Sequence, residues 1–338
     1  MSKAAVCVDF SKPLEIQDVE VRQPGPGEVL VRMVASGICH TDLHSTRGDW
    51  PVKSPLPFIA GHEGVGIVEA VGEGTIRKVG ERVCIPWLGY ACGHCRYCVS
   101  GWETLCPNQI QNGFARDGAF AEYAVVDGNW CGLVPDNVSS QDAAPLVCAG
   151  VTTYKAVKVS ELKSAEVAAV WGVGGLGHLA LQYARIAGGT AIGVDIAEDK
   201  LELATQLGAE HVVNAAATDP VKAIQDLGGA DVSIVLSPNE TVFNQALAAL
   251  RPGGRLVCVA LPAGGGTLSV PIFDTVLYGK RIIGSIVGTR NDLDDTMALH
   301  AAGRTKVISM GVGLEDINHS FELMLAGKIP ARHVITEF

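Results

Sequence analysis

Cys92, Cys95, Cys98 and Cys106 put four thiols into the stretch GYACGHCRYCVSGWETLC, spaced C-x2-C-x2-C-x7-C. Thiol at that density serves a metal ion, an iron–sulfur cluster or disulfides. A tetrahedral zinc site takes four thiolates and tolerates a long last loop, and its closed coordination makes it structural. A cluster is the second reading, because Pro107 follows Cys106, but the ferredoxin run spaces its last cysteine by three rather than seven. Disulfides need an oxidising compartment, and the stretch MSKAAVCVDFSKPLEI lacks the apolar run of a secretory leader.

A second chemistry lies in VWGVGGLGHLAL. Gly172, Gly174 and Gly177 form G-x-G-x-x-G, with Gly175 and Leu176 between them. The pattern alone is weak among forty glycines. Here it stands between a strand-like and a helix-like run, and Asp195 closes the next strand-like run eighteen residues on. Backbone N–H groups at such a helix start cradle a pyrophosphate. A carboxylate at Asp195 accepts both ribose hydroxyls of an adenosine and repels a 2′-phosphate. Ile196 follows it, where an arginine would welcome that phosphate, so the expected cofactor is NAD rather than NADP. The competing reading is close strand–helix packing without a ligand.

A third group is scattered. SGICHTDLH holds Cys39, His40, Thr41, Asp42 and His44; AGHEGVG holds His62 and Glu63; PLVCAG holds Cys148. These are ligand types for zinc, but no tight motif links them, and buried packing is the usual fate of a cysteine in an apolar helix. Cys7, Cys84, Cys131 and Cys258 sit in strand-like runs and read as packing residues.

These residues need elements to position them. Up to about residue 130 the chain is β-rich: EVLVRMVASGIC (28–39) reads as a strand, and residues 61–85 are short apolar runs broken by glycine. The first helix of convincing length is expected over 139–159, started by Ser139 or Ser140 with Asp142. From about 165, strands at 167–171, 190–195, 211–214, 231–236, 255–260 and 281–285 alternate with helices at 175–187, 198–207 and 240–250. That alternation predicts a doubly wound parallel sheet. Two further amphipathic helices are expected near 293–302 and 315–326. The fold class is α/β, in two domains.

Bulk composition narrows the partners. The 338 residues are 48% hydrophobic and carry a net charge of −10. No basic run offers a nucleic-acid surface, and no apolar run is long enough for a membrane span. Ten cysteines in such a chain fit a reducing, cytoplasmic setting and a small-molecule partner.

Taken together, GICHTDLH, GHEGVGIVEAVG, the four-cysteine loop, CAGVTTYKA, GVGGLGH, PIFDTVLYGKRIIGSIVGTR and ARHVI resemble the zinc-dependent medium-chain alcohol dehydrogenases over the whole chain. The shorter bacterial and yeast-type, NAD-dependent members are the most similar. The resemblance implies a GroES-like, β-barrel-like catalytic domain (1–150 and 287–338) with two zinc sites, and a Rossmann NAD-binding domain (151–286). It implies a catalytic zinc on Cys39, His62 and Cys148, with Glu63 behind it and Asp42 orienting the His62 ring. Cys92, Cys95, Cys98 and Cys106 then hold the structural zinc.

The implied activity is reversible oxidation of short primary and some secondary alcohols to aldehydes or ketones, with hydride passing to NAD (EC 1.1.1.1 type). Thr41 and His44 would relay the proton. Toward NAD the resemblance adds His40 and Arg332 at the pyrophosphate, Lys200 beside Asp195, and Thr152, Val259, Leu261, Ser285 and Val287 around the nicotinamide. Trp50 and Trp87 would narrow the substrate cleft, and the family's oligomer here would be a homotetramer. Two positions depart from the family pattern: Ala260 replaces a glycine and Ala60 a proline. Competing functions are a dehydrogenase of polyols or of a glutathione adduct, a non-catalytic NAD and zinc binder, and a cluster-bearing redox protein.

Overall fold

The computed structural model describes residues 1–338. The chain forms two compact units: Met1–Val151 with Val287–Gly303 and Val307–Phe338, and Thr152–Ile286 with Arg304–Lys306.

The first unit is built around the strand Glu28–Ile38. It is long enough to pair with three others: Tyr123–Asp127 at its start, Gly64–Val71 along most of its length, and Arg332–Glu337 at its end. Register shifts at Leu30/Val31 and Met33/Ala35 bend it. The sheet runs on through Arg82–Ile85 to Gly132–Leu133 on one side and through Ser309–Gly313 on the other. Val29, Val31, Met33, Val68, Val83, Ile85 and Val126 pack one core beneath it. Ile38, Phe58, Leu314, Ile317, Phe321 and Ile335 pack another.

The second unit is a six-stranded parallel sheet. Its order is His211–Asn214, Thr190–Asp195, Val167–Trp171, Ala230–Val235, Leu250–Cys258 and Arg281–Gly284. Helices Gly177–Ile186, Glu198–Gln206, Pro220–Asp226 and Glu240–Ala248 connect the strands. Near-continuous apolar strands such as VAAVW are what a sheet covered on both faces requires.

Local differences from expectation have physical causes. The helix expected over 139–159 is three pieces: Ser140–Pro145, a π-type turn Leu146–Gly150, and Val151–Val159. Pro145 lacks the N–H that a continuous helix would use there. An earlier helix, His40–Arg47, also exists. Its sequence HTDLHSTR has no apolar periodicity, and its ends are set by the Asp42 side chain at the start and by the left-handed Gly48 at the stop rather than by an amphipathic face.

Candidate active site

Asp42 is the hub of a buried cluster in the first unit. Cys39 directly follows the central strand and caps the His40–Arg47 helix, and its N–H donates to Asp42 Oδ2 at 3.0 Å. Asp42 Oδ1 accepts from Gly61 N at 3.1 Å and from His62 Nδ1 at 2.7 Å. In the neutral ring that bond makes Nδ1 the protonated nitrogen and leaves the lone pair on Nε2, 3.2 Å from Cys148 Sγ. The π-type turn carries Cys148 there; such one-residue widenings re-aim side chains. Ligand atoms of Cys39, His62, Glu63 and Cys148 all lie within 4.8 Å of one another, and all four residues are buried.

Glu63 stands behind these three. Its Oε1 pairs with Arg332 Nη2 and lies 4.0 Å from His62 Nε2, while Oε2 has no hydrogen-bond partner. Gly37 makes room for it, since a Cβ there would sit 1.9 Å from Glu63 Oε2. Burial pushes the Glu63 carboxyl up to about 7, against the pull of Arg332. Burial opposes the charge on Arg332, but Glu63 and the two thiols outweigh it and hold the guanidinium protonated. A hydrogen bond with Cys148 lowers the Cys39 thiol well below its usual range, with His62 and Arg332 helping against burial. Burial would keep His62 neutral, and Asp42 overrides it, raising the ring. Two thiols and an imidazole are a donor set that could hold a zinc ion and would leave one coordination position free.

Aromatic rings wall this cluster. Trp87 meets the His62 ring edge-on at 5.3 Å, and Trp50 meets Trp87 at 6.5 Å. Phe114, which carries no sequence signal, closes the group at 5.8 Å from Trp50 and 5.6 Å from Trp87. His44 lies 5.8 Å from Trp50, and its Nδ1 is 2.8 Å from Asp49 Oδ2. Thr41 is half-buried on the same helix and His40 is exposed. Val287, at φ +37, lines a small hollow with Trp87 and Val147.

The four-cysteine loop gathers as a second cluster. Sulfur–sulfur distances of 4.0 Å for Cys92–Cys98 and 3.6 Å for Cys95–Cys98 bracket the edge of about 3.8 Å that a tetrahedral zinc–thiolate site requires. Cys92 Sγ accepts from Cys95 N at 3.3 Å and Cys106 Sγ from Cys92 N at 3.4 Å. Backbone N–H groups, that of His94 first, lower the Cys92 thiol to about 6. Glu103, inside the loop, bonds Arg290 Nη2 at 2.5 Å, and the Arg290 guanidinium lies 4.0 Å over the Trp130 ring. Loop and body are thereby joined. Cys7 and Cys84, by contrast, are pushed up by burial to about 11 and about 12, as inert packing thiols are.

In the second unit, residues 172–176 link the strand Val167–Trp171 to the helix Gly177–Ile186. Gly172 has φ +96, and a Cβ on Gly177 would lie 2.0 Å from the Gly172 carbonyl oxygen. A Cβ on Gly174 would meet nothing within 4 Å, so that position is open for a group from outside the chain. Asp195 accepts from Val173 N at 2.7 Å, Ile196 N at 2.8 Å and Ala197 N at 3.1 Å, which fastens it to the glycine loop. Thr152 Oγ1 and Ser285 Oγ are buried without partners. Lys200 is buried with Nζ 3.7 Å from Asp199, Val259 N reaches the Val235 carbonyl at 3.3 Å, and Leu261 is exposed.

Residues 25–136 match the family described as Alcohol dehydrogenase GroES-like domain, and residues 175–302 match Zinc-binding dehydrogenase. An alcohol dehydrogenase of Geobacillus stearothermophilus is 50% identical over 335 residues, covering 98% of this chain and 99% of its own. The crystal structure of the alcohol dehydrogenase of Aeropyrum pernix is 34% identical at a TM-score of 0.91, covering 98% and 99% of the two chains. That of acetophenone reductase of Geotrichum candidum in complex with NAD is 30% identical at 0.88, covering 100% and 97%.

Proposed function

Because the chain belongs to the zinc-type medium-chain alcohol dehydrogenase family, we propose that it oxidises short-chain primary and some secondary alcohols reversibly, with NAD as hydride acceptor. One observation carries the reading: His62, clamped by Asp42 at 2.7 Å, turns its Nε2 onto Cys148 inside a buried set that includes Cys39. Cys39, His62 and Cys148 would hold the catalytic zinc, with Glu63 next to it, and Cys92, Cys95, Cys98 and Cys106 the structural one. Zinc supplies Lewis acidity that makes an alcohol hydroxyl easier to ionise, and NAD supplies the acceptor for hydride.

The chain's own residues do the rest. Trp50, Trp87 and Phe114 exclude water and hold a small apolar alkyl group beside His62. Thr41 takes the hydroxyl proton, and His44, further along the same helix, hands it to solvent. Gly172 to Gly177 and Asp195 bind the adenosine diphosphate half of NAD. The open position at Gly174 and the carboxylate at Asp195 support that assignment, as does the NAD bound by acetophenone reductase. Lys200, Thr152, Val259, Leu261, Ser285, Val287, His40 and Arg332 are assigned to the same cofactor, and the partnerless hydroxyls of Thr152 and Ser285 favour it.

The assembly is read as a homotetramer, supported by Ile272, Phe273 and Val276, which are 79%, 74% and 73% exposed on one short helix beside the edge strand Arg281–Gly284. No helix is long and apolar enough to cross a membrane. Ten cysteines outside any disulfide support a cytoplasmic setting.

The deciding experiment is the initial rate of NADH appearance with NAD and a ladder of primary and secondary alcohols. Rates highest for ethanol to butanol support the reading. Activity confined to polyols discards the pocket argument, and no activity with two zincs per chain discards the function.

A further inference from the structure

The end of the His40–Arg47 helix brings together two side chains that the relay has not yet used as a pair. Gly48 stops the helix at φ +64, a conformation that glycine adopts at little cost, and its N–H caps the Ser45 carbonyl. The next N–H, that of Asp49, donates to the His44 carbonyl at 3.1 Å. This reversal folds the Asp49 side chain back along the helix until Oδ2 lies 2.8 Å from His44 Nδ1. A Cβ on Gly48 would press on the Phe10 ring at 3.0 Å, so both the backbone conformation and the space at this turn favour glycine.

At 17% and 32% side-chain exposure the pair is too wet to contribute much stability through its charge. Its directionality survives solvent. An ionised carboxylate only accepts, so the ring nitrogen facing it must carry hydrogen. A neutral His44 bonded to Asp49 therefore has hydrogen on Nδ1 and its lone pair on Nε2. The Trp50 ring at 5.8 Å and the His40 ring at 6.4 Å flank the imidazole.

We propose that Asp49 is a positioning residue for His44, holding it as the Nδ1–H tautomer so that Nε2 is the atom that receives the relayed proton. The catalytic half of this rests on the relay of Thr41 and His44 proposed above. No covalent change is involved: a proton arrives at Nε2, and Nδ1–H stays on Asp49.

The test uses the zinc-loaded enzyme labelled with 15N-histidine, in solid-state 15N spectra at a pH where the ring is neutral. His44→Gln identifies the His44 signals by their loss. The expected wild-type pattern is a protonated Nδ1 and a bare Nε2. Asp49→Ala should move population to the Nε2–H form, and Asp49→Asn, which keeps an acceptor oxygen, should retain the original one. In kinetics Asp49→Ala should lower kcat about tenfold at little change in alcohol KM, a fraction of the 10²–10⁴ that positioned acid–base groups contribute. In a His44→Gln background it should cost nothing further. A wild-type His44 bare at Nδ1, or full additivity of the two losses, overturns the proposal. If His44→Gln slows turnover while Asp49→Ala turns over as wild type, positioning by Asp49 fails and the relay stands. Unchanged turnover in His44→Gln overturns the relay and the catalytic half of this proposal with it, and the spectra still decide the tautomer.

Discussion

The Arg332 guanidinium and the Glu63 carboxylate form an ion pair sealed from solvent, joining residues 269 apart in sequence. Arg332 opens the strand Arg332–Glu337, and Glu63 directly precedes the strand Gly64–Val71; the central strand pairs with both. Gly37 on that strand leaves the space that Glu63 occupies. Arg332→Met leaves the buried Glu63 carboxyl without its partner, either charged and unpaired or forced to take up a proton, and should cost about 3–5 kcal/mol. Adding Glu63→Gln to it should recover part of that loss, because both charges are then gone. Urea unfolding midpoints of the single and double variants check this, and a double variant no more stable than Arg332→Met contradicts it.

A second ion pair gives a pH prediction. Arg255 Nη2 bonds Glu166 Oε2 at 2.5 Å, and Arg255 is held in place by the Ser160 and Glu161 carbonyls at 2.8 Å and 3.1 Å. Arg255 holds the Glu166 carboxyl below the usual range. A carboxylate whose folded value is depressed stabilises fully above its unfolded value, near 4.3, and that gain is lost as pH falls through the folded value. Glu166→Gln should therefore cost about 1–2 kcal/mol at pH 7. The difference from wild type should shrink below pH ~4.3. A gap in unfolding free energy that widens on acidification contradicts the assignment.

The four-cysteine loop has little apolar core apart from Leu88, Ala91, Trp130 and its own cysteines. Such a segment depends on its metal for order. On the proposed two-zinc reading, Cys98→Ser should lower the zinc content from two per chain to one and expose residues 92–106 to proteolysis. The Asp42–His62 cluster, on other elements, should keep its metal. Mass spectrometry of the native enzyme and of its proteolytic fragments reads both. Loss of both zincs would show that the two clusters are not independent.

How much of this was legible in the sequence follows from the range of the interactions. The strands Val167–Trp171 and Thr190–Asp195 coincide with their apolar runs, because a sheet buried on both faces writes itself as continuous hydrophobicity. The four cysteines and the glycine loop are also local. The His40–Arg47 helix was not legible, because Asp42, bonded to Cys39 and to the distant Gly61 and His62, fixes its start, and Gly48 its stop. Cys148 reaches the cluster through a π-type turn after Pro145, which no apolar period encodes. Phe114 and the Glu63–Arg332 pair meet their partners only through tertiary folding.

The exposed helix Ile272–Leu277 tests the assembly. Phe273→Asp with Val276→Asp places two charges on the face expected to be covered, where burying an unpaired charge is costly. Light scattering should show a species smaller than the wild-type assembly, which is proposed to be a tetramer. An unchanged mass would remove this face from the interface.

The aromatic group sets the last prediction. Trp50 and Phe114 lie 5.8 Å apart, and each also meets Trp87, so removing either opens volume beside Trp87, the ring that packs on His62. An apolar pocket discriminates by only about 1–3 kcal/mol per methylene, and the vacated space therefore changes preference rather than chemistry. Phe114→Ala and Trp50→Ala should raise kcat/KM for benzyl alcohol or cyclohexanol relative to ethanol by about 10–200-fold, mostly through KM. Trp87→Ala differs, because Trp87 packs edge-on against His62 at 5.3 Å and its loss should also loosen the ring proposed to bind the zinc. It should lower kcat for every alcohol and weaken zinc retention. A Trp87→Ala enzyme that merely broadens its substrate range, with kcat and zinc content intact, would show that Asp42 alone holds the His62 ring.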